Sequence, residues 1–166
     1  MKIVQEIELE GVFELSLFRH HDERGSFVKP WHLPTLGKYG IEFEIREVFW
    51  SVTGKGDVRG MHFQVPPHAN RKIISCQQGK VHDVLLDLRK CSSTFGESVS
   101  LELVGSNANA VYIPEGVAHG FQSLEDNSQL LYLTSFEYTP ESDLGILWDS
   151  FKHCWPLPVE NVSFRD

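Results

Sequence analysis

Lys72-Ile73-Ile74-Ser75-Cys76-Gln77-Gln78-Gly79-Lys80-Val81-His82-Asp83-Val84-Leu85-Leu86-Asp87-Leu88 is the stretch that decides the fold class. Two apolar runs, 72–76 and 81–88, flank Gln77-Gln78-Gly79-Lys80, and a glycine between such runs reads as a hairpin turn. Side chains alternate across a strand. Lys72, Ile74 and Cys76 therefore share one face. In the second run Val81, Asp83, Leu85 and Asp87 alternate with His82, Val84, Leu86 and Leu88. Polar groups thus enter strands that otherwise read as core, which is costly unless those groups pair or work.

The same period of two continues on both sides. Val99, Leu101 and Leu103 alternate with Ser98, Ser100 and Glu102. Leu130, Tyr132, Thr134 and Phe136 oppose Leu131, Leu133 and Ser135, while His62 and Gln64 share a face with Phe63 opposite. Gly and Pro punctuate the text at short intervals from Gly25 to Gly120. No window holds an apolar helical stripe of three turns. Short helical turns are expected only near residues 35–39 and 140–143. Many short strands between turn signals predict an all-β jelly roll, one domain over residues 1–166, with room for a ligand in the barrel mouth.

Composition narrows the function classes. Apolar residues make up 41% and charged residues 23%, the balance of a globular chain. No apolar run approaches ~18 residues, so no membrane span is expected. The first residues lack a signal-peptide core. The three cysteines form no CxxC pair, which points to free thiols in the cytoplasm. A net charge of −8 without a basic stretch argues against nucleic-acid binding. A few placed arginines still suit a phosphorylated ligand.

Pro114-Glu115-Gly116-Val117-Ala118-His119 fits the second cupin motif, PxGxxH. The first cupin motif would supply an HxH pair of metal ligands. Here the matching place reads Arg59-Gly60-Met61-His62-Phe63-Gln64, with Gln64 where the second His would fall. That is a poor metal site, and neither metal nor cofactor is expected.

A longer ordered pattern is more specific. Asp22-Glu23-Arg24-Gly25-Ser26-Phe27 precedes Val58-Arg59-Gly60-Met61-His62-Phe63-Gln64. Arg71-Lys72, Gly79-Lys80-Val81-His82-Asp83-Val84 and Asp87-Leu88-Arg89 follow, then the 113–121 segment around His119. Tyr132, Gly145-Ile146-Leu147-Trp148-Asp149, Trp155-Pro156 and Ser163-Phe164-Arg165-Asp166 complete it. From about residue 20 onward the chain resembles the dTDP-4-dehydrorhamnose 3,5-epimerase family.

The resemblance implies a cupin-type jelly roll that dimerises and shares active-site residues across the interface. It implies His62 as general base with Asp166 as its buried partner, Lys72 at the enolate oxygen, and Tyr132 as the acid on the opposite ring face. Arg24 and Arg59 are implied as diphosphate or nucleotide contacts and His119 as a further substrate contact. Lys29, Glu47, Phe49, Gln64, Asp83 and Asp143 complete the candidate substrate-binding set.

Those residue types suit the chemistry. A C–H bond beside a ketone is acidic because the carbanion delocalises onto oxygen. Imidazole is a base poised near neutral pH, and a carboxylate on its other nitrogen sets the tautomer. A lysine can hold the growing negative charge. Inversion needs a donor on the far face, which a tyrosine hydroxyl can be. Taken singly, each residue has a blander reading: a terminal Asp usually frays, and Tyr132 reads as a core aromatic.

The match departs from the family in a cluster. Lys29 stands where RGxFxE has Glu, Glu47-Val48-Phe49 where Gln-x-Asn is usual, and Asp143 where Glu is common. The proton-moving residues match and the residues expected around the nucleotide differ. GDP or CDP, and a heptose as well as a 4-keto-6-deoxyhexose, therefore enter as carriers and sugars beside dTDP. The alternatives are a 3,4-ketoisomerase, a metal-dependent cupin and a sugar-binding module without catalysis.

Overall fold

A computed structural model describes residues 2–166 as two antiparallel sheets packed face to face. One sheet runs in the order β1 (Lys2–Glu6), β2 (Phe13–Ser16), β10 (Asn109–Ile113), β7 (Lys72–Gln78), β12 (Ser128–Thr134), β5 (Glu47–Thr53). The other runs β13 (Asp143–Gly145), β6 (Val58–Gln64), β11 (Val117–Ser123), β8 (Lys80–Asp87), β9 (Ser98–Val104). β3 (Phe18–Asp22) and β4 (Gly25–Lys29) form a separate hairpin, followed by the short helix α1 (Leu33–Gly37). The turn expected near residue 140 is a single 3-10 turn, Pro140–Ser142.

The alternating pattern sorts side chains into three apolar layers. Ile74, Cys76, Val81, Leu85, Leu130 and Tyr132 belong to the layer between the sheets. Ile73 and Leu133 face the other way and pack under the segment carrying Leu36, Ile41 and Phe43. Met61, Val84, Leu86 and Ala118 lie on the outer face of the second sheet, covered by Ile146, Phe151 and Trp155. This third layer explains why both faces of β8 read as core.

The hairpin expected at residues 77–80 is not formed. β7 and β8 belong to different sheets, so Gly79 is the corner where the chain crosses the sandwich. Its φ of +76° is the region glycine adopts freely, and a Cβ there would sit 2.6 Å from Ser128 Oγ. A hairpin and a corner use the same residue for the same conformational reason. Local sequence therefore does not separate them.

Gly60 is the other glycine that decides geometry. A Cβ there would lie 2.4 Å from Gly120 Cα and 2.7 Å from the His119 carbonyl, at a φ of +116°. The bare backbone lets β6 and β11 close up and puts His62 directly across from His119. Gly60→Ala is expected to destabilise the fold by about 1–3 kcal/mol, the scale of an overpacked core. A urea midpoint unchanged from the parent would refute the requirement.

The last twenty residues carry almost no regular structure, yet they are tied down. Buried Gln122 donates to the carbonyls of Gly56 and Leu157 and accepts from Leu157 N–H. Trp155 Nε1 donates to the Trp148 carbonyl at 3.1 Å. Trp148 N–H donates to the Asp166 carbonyl at 3.0 Å. Those bonds deliver residues 163–166 to the open end of the sandwich.

Candidate active site

A cavity of about 360 Å³ opens at that end, and strands of both sheets line it. β6 contributes His62, Gln64 and Arg59; β7 contributes Lys72; β11 His119; β12 Tyr132; β5 Glu47, Phe49 and Ser51; and the terminal segment Arg165 and Asp166. Of the thirteen residues expected in the site, ten line this cavity. Asp83 lies directly behind it, while Arg24 and Lys29 lie elsewhere.

His62 Nε2 meets Asp166 Oδ1 at 2.5 Å, with the Asp166 side chain only 5% exposed. Nε2 therefore donates to the carboxylate, which leaves Nδ1 as the nitrogen able to accept a proton. Burial lowers the His62 pKa against the opposing pull of Asp166, and Arg165 and Lys72 push it the same way as burial. Burial thus favours the neutral imidazole. One strand over, His119 Nε2 bonds Asp83 Oδ2 at 2.7 Å, both side chains buried. The other Asp83 oxygen is buried with no hydrogen-bond partner among the described residues.

Lys72 Nζ donates to the His62 carbonyl at 3.0 Å. Burial brings its pKa down to about 8, although Asp143 and Asp83 pull upward. The Tyr132 hydroxyl lies 3.3 Å from Ser51 Oγ. Burial raises its pKa far above the ordinary phenol range, so it keeps its proton. A neutral imidazole, an ammonium and a phenol therefore face one space.

Several expected contacts have other partners. Gln64 spends its whole amide on the chain: Nε2 donates to the His68 and Glu137 carbonyls and Oε1 accepts from Thr139 N–H. It shapes the wall more than it offers a hydrogen bond. Asp143 pairs with Arg165 in the cavity wall. Glu47 Oε2 accepts from Tyr138 N–H at 3.0 Å. Arg59 Nε donates to Thr53 Oγ1 at 2.9 Å, which aims its guanidinium along the rim. Arg24 is 90% exposed and pairs with Asp22 on the β3–β4 hairpin, where Lys29 also sits.

Sequence reasoning missed Arg165, Ser51, Tyr138 and Asn70, all in the cavity wall. Arg165 had a signal, since it adjoins Asp166. The others carry none at the level of local pattern. Asn70 Oδ1 is buried and has no hydrogen-bond partner among the described residues. Among the described residues, no three His, Cys, Asp or Glu side chains are grouped to hold a metal ion.

The sequence profile of the family described as dTDP-4-dehydrorhamnose 3,5-epimerase matches residues 6–166. A dTDP-4-dehydrorhamnose 3,5-epimerase from Shigella flexneri is 36% identical over 156 residues, 93% of this chain and 85% of that protein. The solved structure of an epimerase from Mycobacterium tuberculosis superposes with a TM-score of 0.92 at 35% identity, covering 100% of this chain and 86% of its own. ChmJ, a 3'-monoepimerase from Streptomyces bikiniensis solved with dTDP-quinovose, superposes with a TM-score of 0.89 at 28% identity, covering 100% and 84%.

Proposed function

Because this chain belongs to the dTDP-4-dehydrorhamnose 3,5-epimerase family, we propose that it inverts C3, C5 or both in a nucleotide-linked 4-keto sugar, with His62 as base, Tyr132 as acid and Lys72 at the ketone oxygen. The observation that carries this reading is the short bond between His62 and buried Asp166 in a cavity that also holds Lys72 and Tyr132. His62 Nδ1 takes the ring proton, and the C–H electrons pass into the carbonyl as an enolate. Asp166 stabilises the imidazolium that forms. The Lys72 ammonium offsets the oxygen's charge in a site sheltered from water. Tyr132 then delivers a proton to the opposite face, and the ketone re-forms at C4.

The two titrating groups set the pH profile. As pH rises through the depressed His62 pKa, the imidazole becomes able to accept a proton and kcat/KM climbs. As pH passes about 8, Lys72 loses its charge and kcat/KM falls. Lys72→Arg should give a slower enzyme whose alkaline limb lies at higher pH while the acid limb stays. An unmoved alkaline limb would take Lys72 out of the role.

The carrier is read as a nucleoside diphosphate held by Arg59 and Arg165 at the cavity rim, with His119 against the sugar. Glu47, Phe49 and Lys29 support a carrier other than dTDP, GDP or CDP being the candidates. Matched dTDP-, GDP- and CDP-linked 4-keto sugars, hexose and heptose, test this by NMR. A clear preference for dTDP would refute the changed carrier and leave the chemistry standing.

The working unit in this reading is a homodimer. β5 is the edge of its sheet, with Val48, Trp50 and Val52 exposed, and an apolar edge strand invites pairing. Arg24 and Lys29 lie outside their own chain's cavity on a projecting hairpin, which suits a reach into the cavity of a second copy. Light scattering reads the mass; a monomer retaining full activity would refute the shared site.

A further inference from the structure

Phe49 stands directly opposite Tyr132 in the antiparallel β5–β12 pair. Its ring lies flat on the tyrosine ring, with centroids 4.7 Å apart and planes within 9°. His119 meets the same tyrosine ring edge-on, at 6.1 Å and 77°. The hydroxyl is 3.3 Å from Ser51 Oγ. The phenol is therefore held on one face, along one edge and at its polar tip. A tyrosine side chain turns on two torsions. Moving its hydroxyl along a bound sugar would break the flat stack and the Ser51 contact together. Phe49 brings no polar group of its own to the cavity, so it has no hydrogen bond to offer the substrate.

The ketone at C4 activates two carbons, C3 and C5, on opposite sides of it. A donor must come within about 2.6–3.2 Å of the atom it serves. One that stands over C3 does not stand over C5 unless donor or sugar moves.

We infer that Phe49 is a positioning residue that locks Tyr132 over a single carbon, so that this chain inverts one of the two centres beside the ketone and not both. The inference rests on the proposed epimerase chemistry and sharpens its product. At the inverted carbon the C–H proton goes to His62 Nδ1 and its electrons to the enolate. A new C–H bond then forms at that carbon with the Tyr132 proton. The phenolate regains a proton from solvent past Ser51, and the imidazolium releases its own. At the other carbon His62 takes and returns a proton on one face, which exchanges hydrogen without inversion.

The test is NMR in D₂O, on the nucleotide 4-keto sugar that the carrier comparison identifies, reading label and configuration at each ring carbon. The wild-type protein is expected to invert one carbon only. Phe49→Leu keeps apolar bulk but has no flat face. It should raise inversion at the second carbon relative to the first by about 3–10-fold, the scale of one lost aromatic stack. Phe49→Trp should restore the single-carbon product. A merely structural role would slow both carbons alike and leave their ratio unmoved, which overturns the inference. So does inversion of both carbons at similar rates by the wild type, with the epimerase reading intact. Absence of exchange at every carbon, on every sugar offered, removes the epimerase reading and this inference with it.

Discussion

His62→Ala is expected to abolish label uptake at C3 and C5 alike, a loss of about 10²–10⁴-fold for removal of a positioned base. The two carbons should fail together because one nitrogen serves both. The other imidazole in the cavity wall, His119, is likewise held through Nε2 by a buried carboxylate, Asp83, and exchange that survived the substitution would point to it. Asp166→Asn should be milder at the binding step and severe at the chemical step. An amide in place of the carboxylate no longer stabilises the imidazolium and can present its N–H to Nε2, which favours the wrong tautomer. The expected signature is a KM near the parent value with a kcat lowered by orders of magnitude. Exchange persisting at parental rate in His62→Ala would move the base elsewhere in the cavity.

Tyr132→Phe should separate two events that the parent couples. Abstraction by His62 is untouched, so deuterium still enters the ring carbon from the base's own face. Delivery to the opposite face loses its donor, so inversion should drop by about 10²–10⁴-fold while exchange changes little. The substitution removes one oxygen and keeps the ring, so the stack with Phe49 remains to hold the fold. NMR of the recovered sugar reads both quantities in one sample. Parental inversion in this variant would strike Tyr132 from the mechanism.

These expectations draw on unequal parts of the molecule. His62, Lys72, His119 and Tyr132 were recognisable from strand pattern and motif because each sits on a strand of period two that turns it inward. Inward orientation is a local property of the chain. Asp166 was recognisable only through its place in the motif, since a carboxylate outside any strand or helix has no local reason to be ordered. Its order comes from Gln122, Trp148 and Trp155, all distant from it in space or sequence.

The sequence by itself determined the layered β architecture, the inward polar side chains and the chemistry those side chains suit, because alternation and side-chain type act within a few residues. Only the tertiary structure decided that Gly79 is a corner between sheets, that Gln64 serves the wall, that Arg165 joins the site, and that Phe49 lies flat on the tyrosine. Each depends on which strands become neighbours and in what register. That choice comes from burying three apolar layers at once, a sum over the whole chain that no short stretch of it encodes.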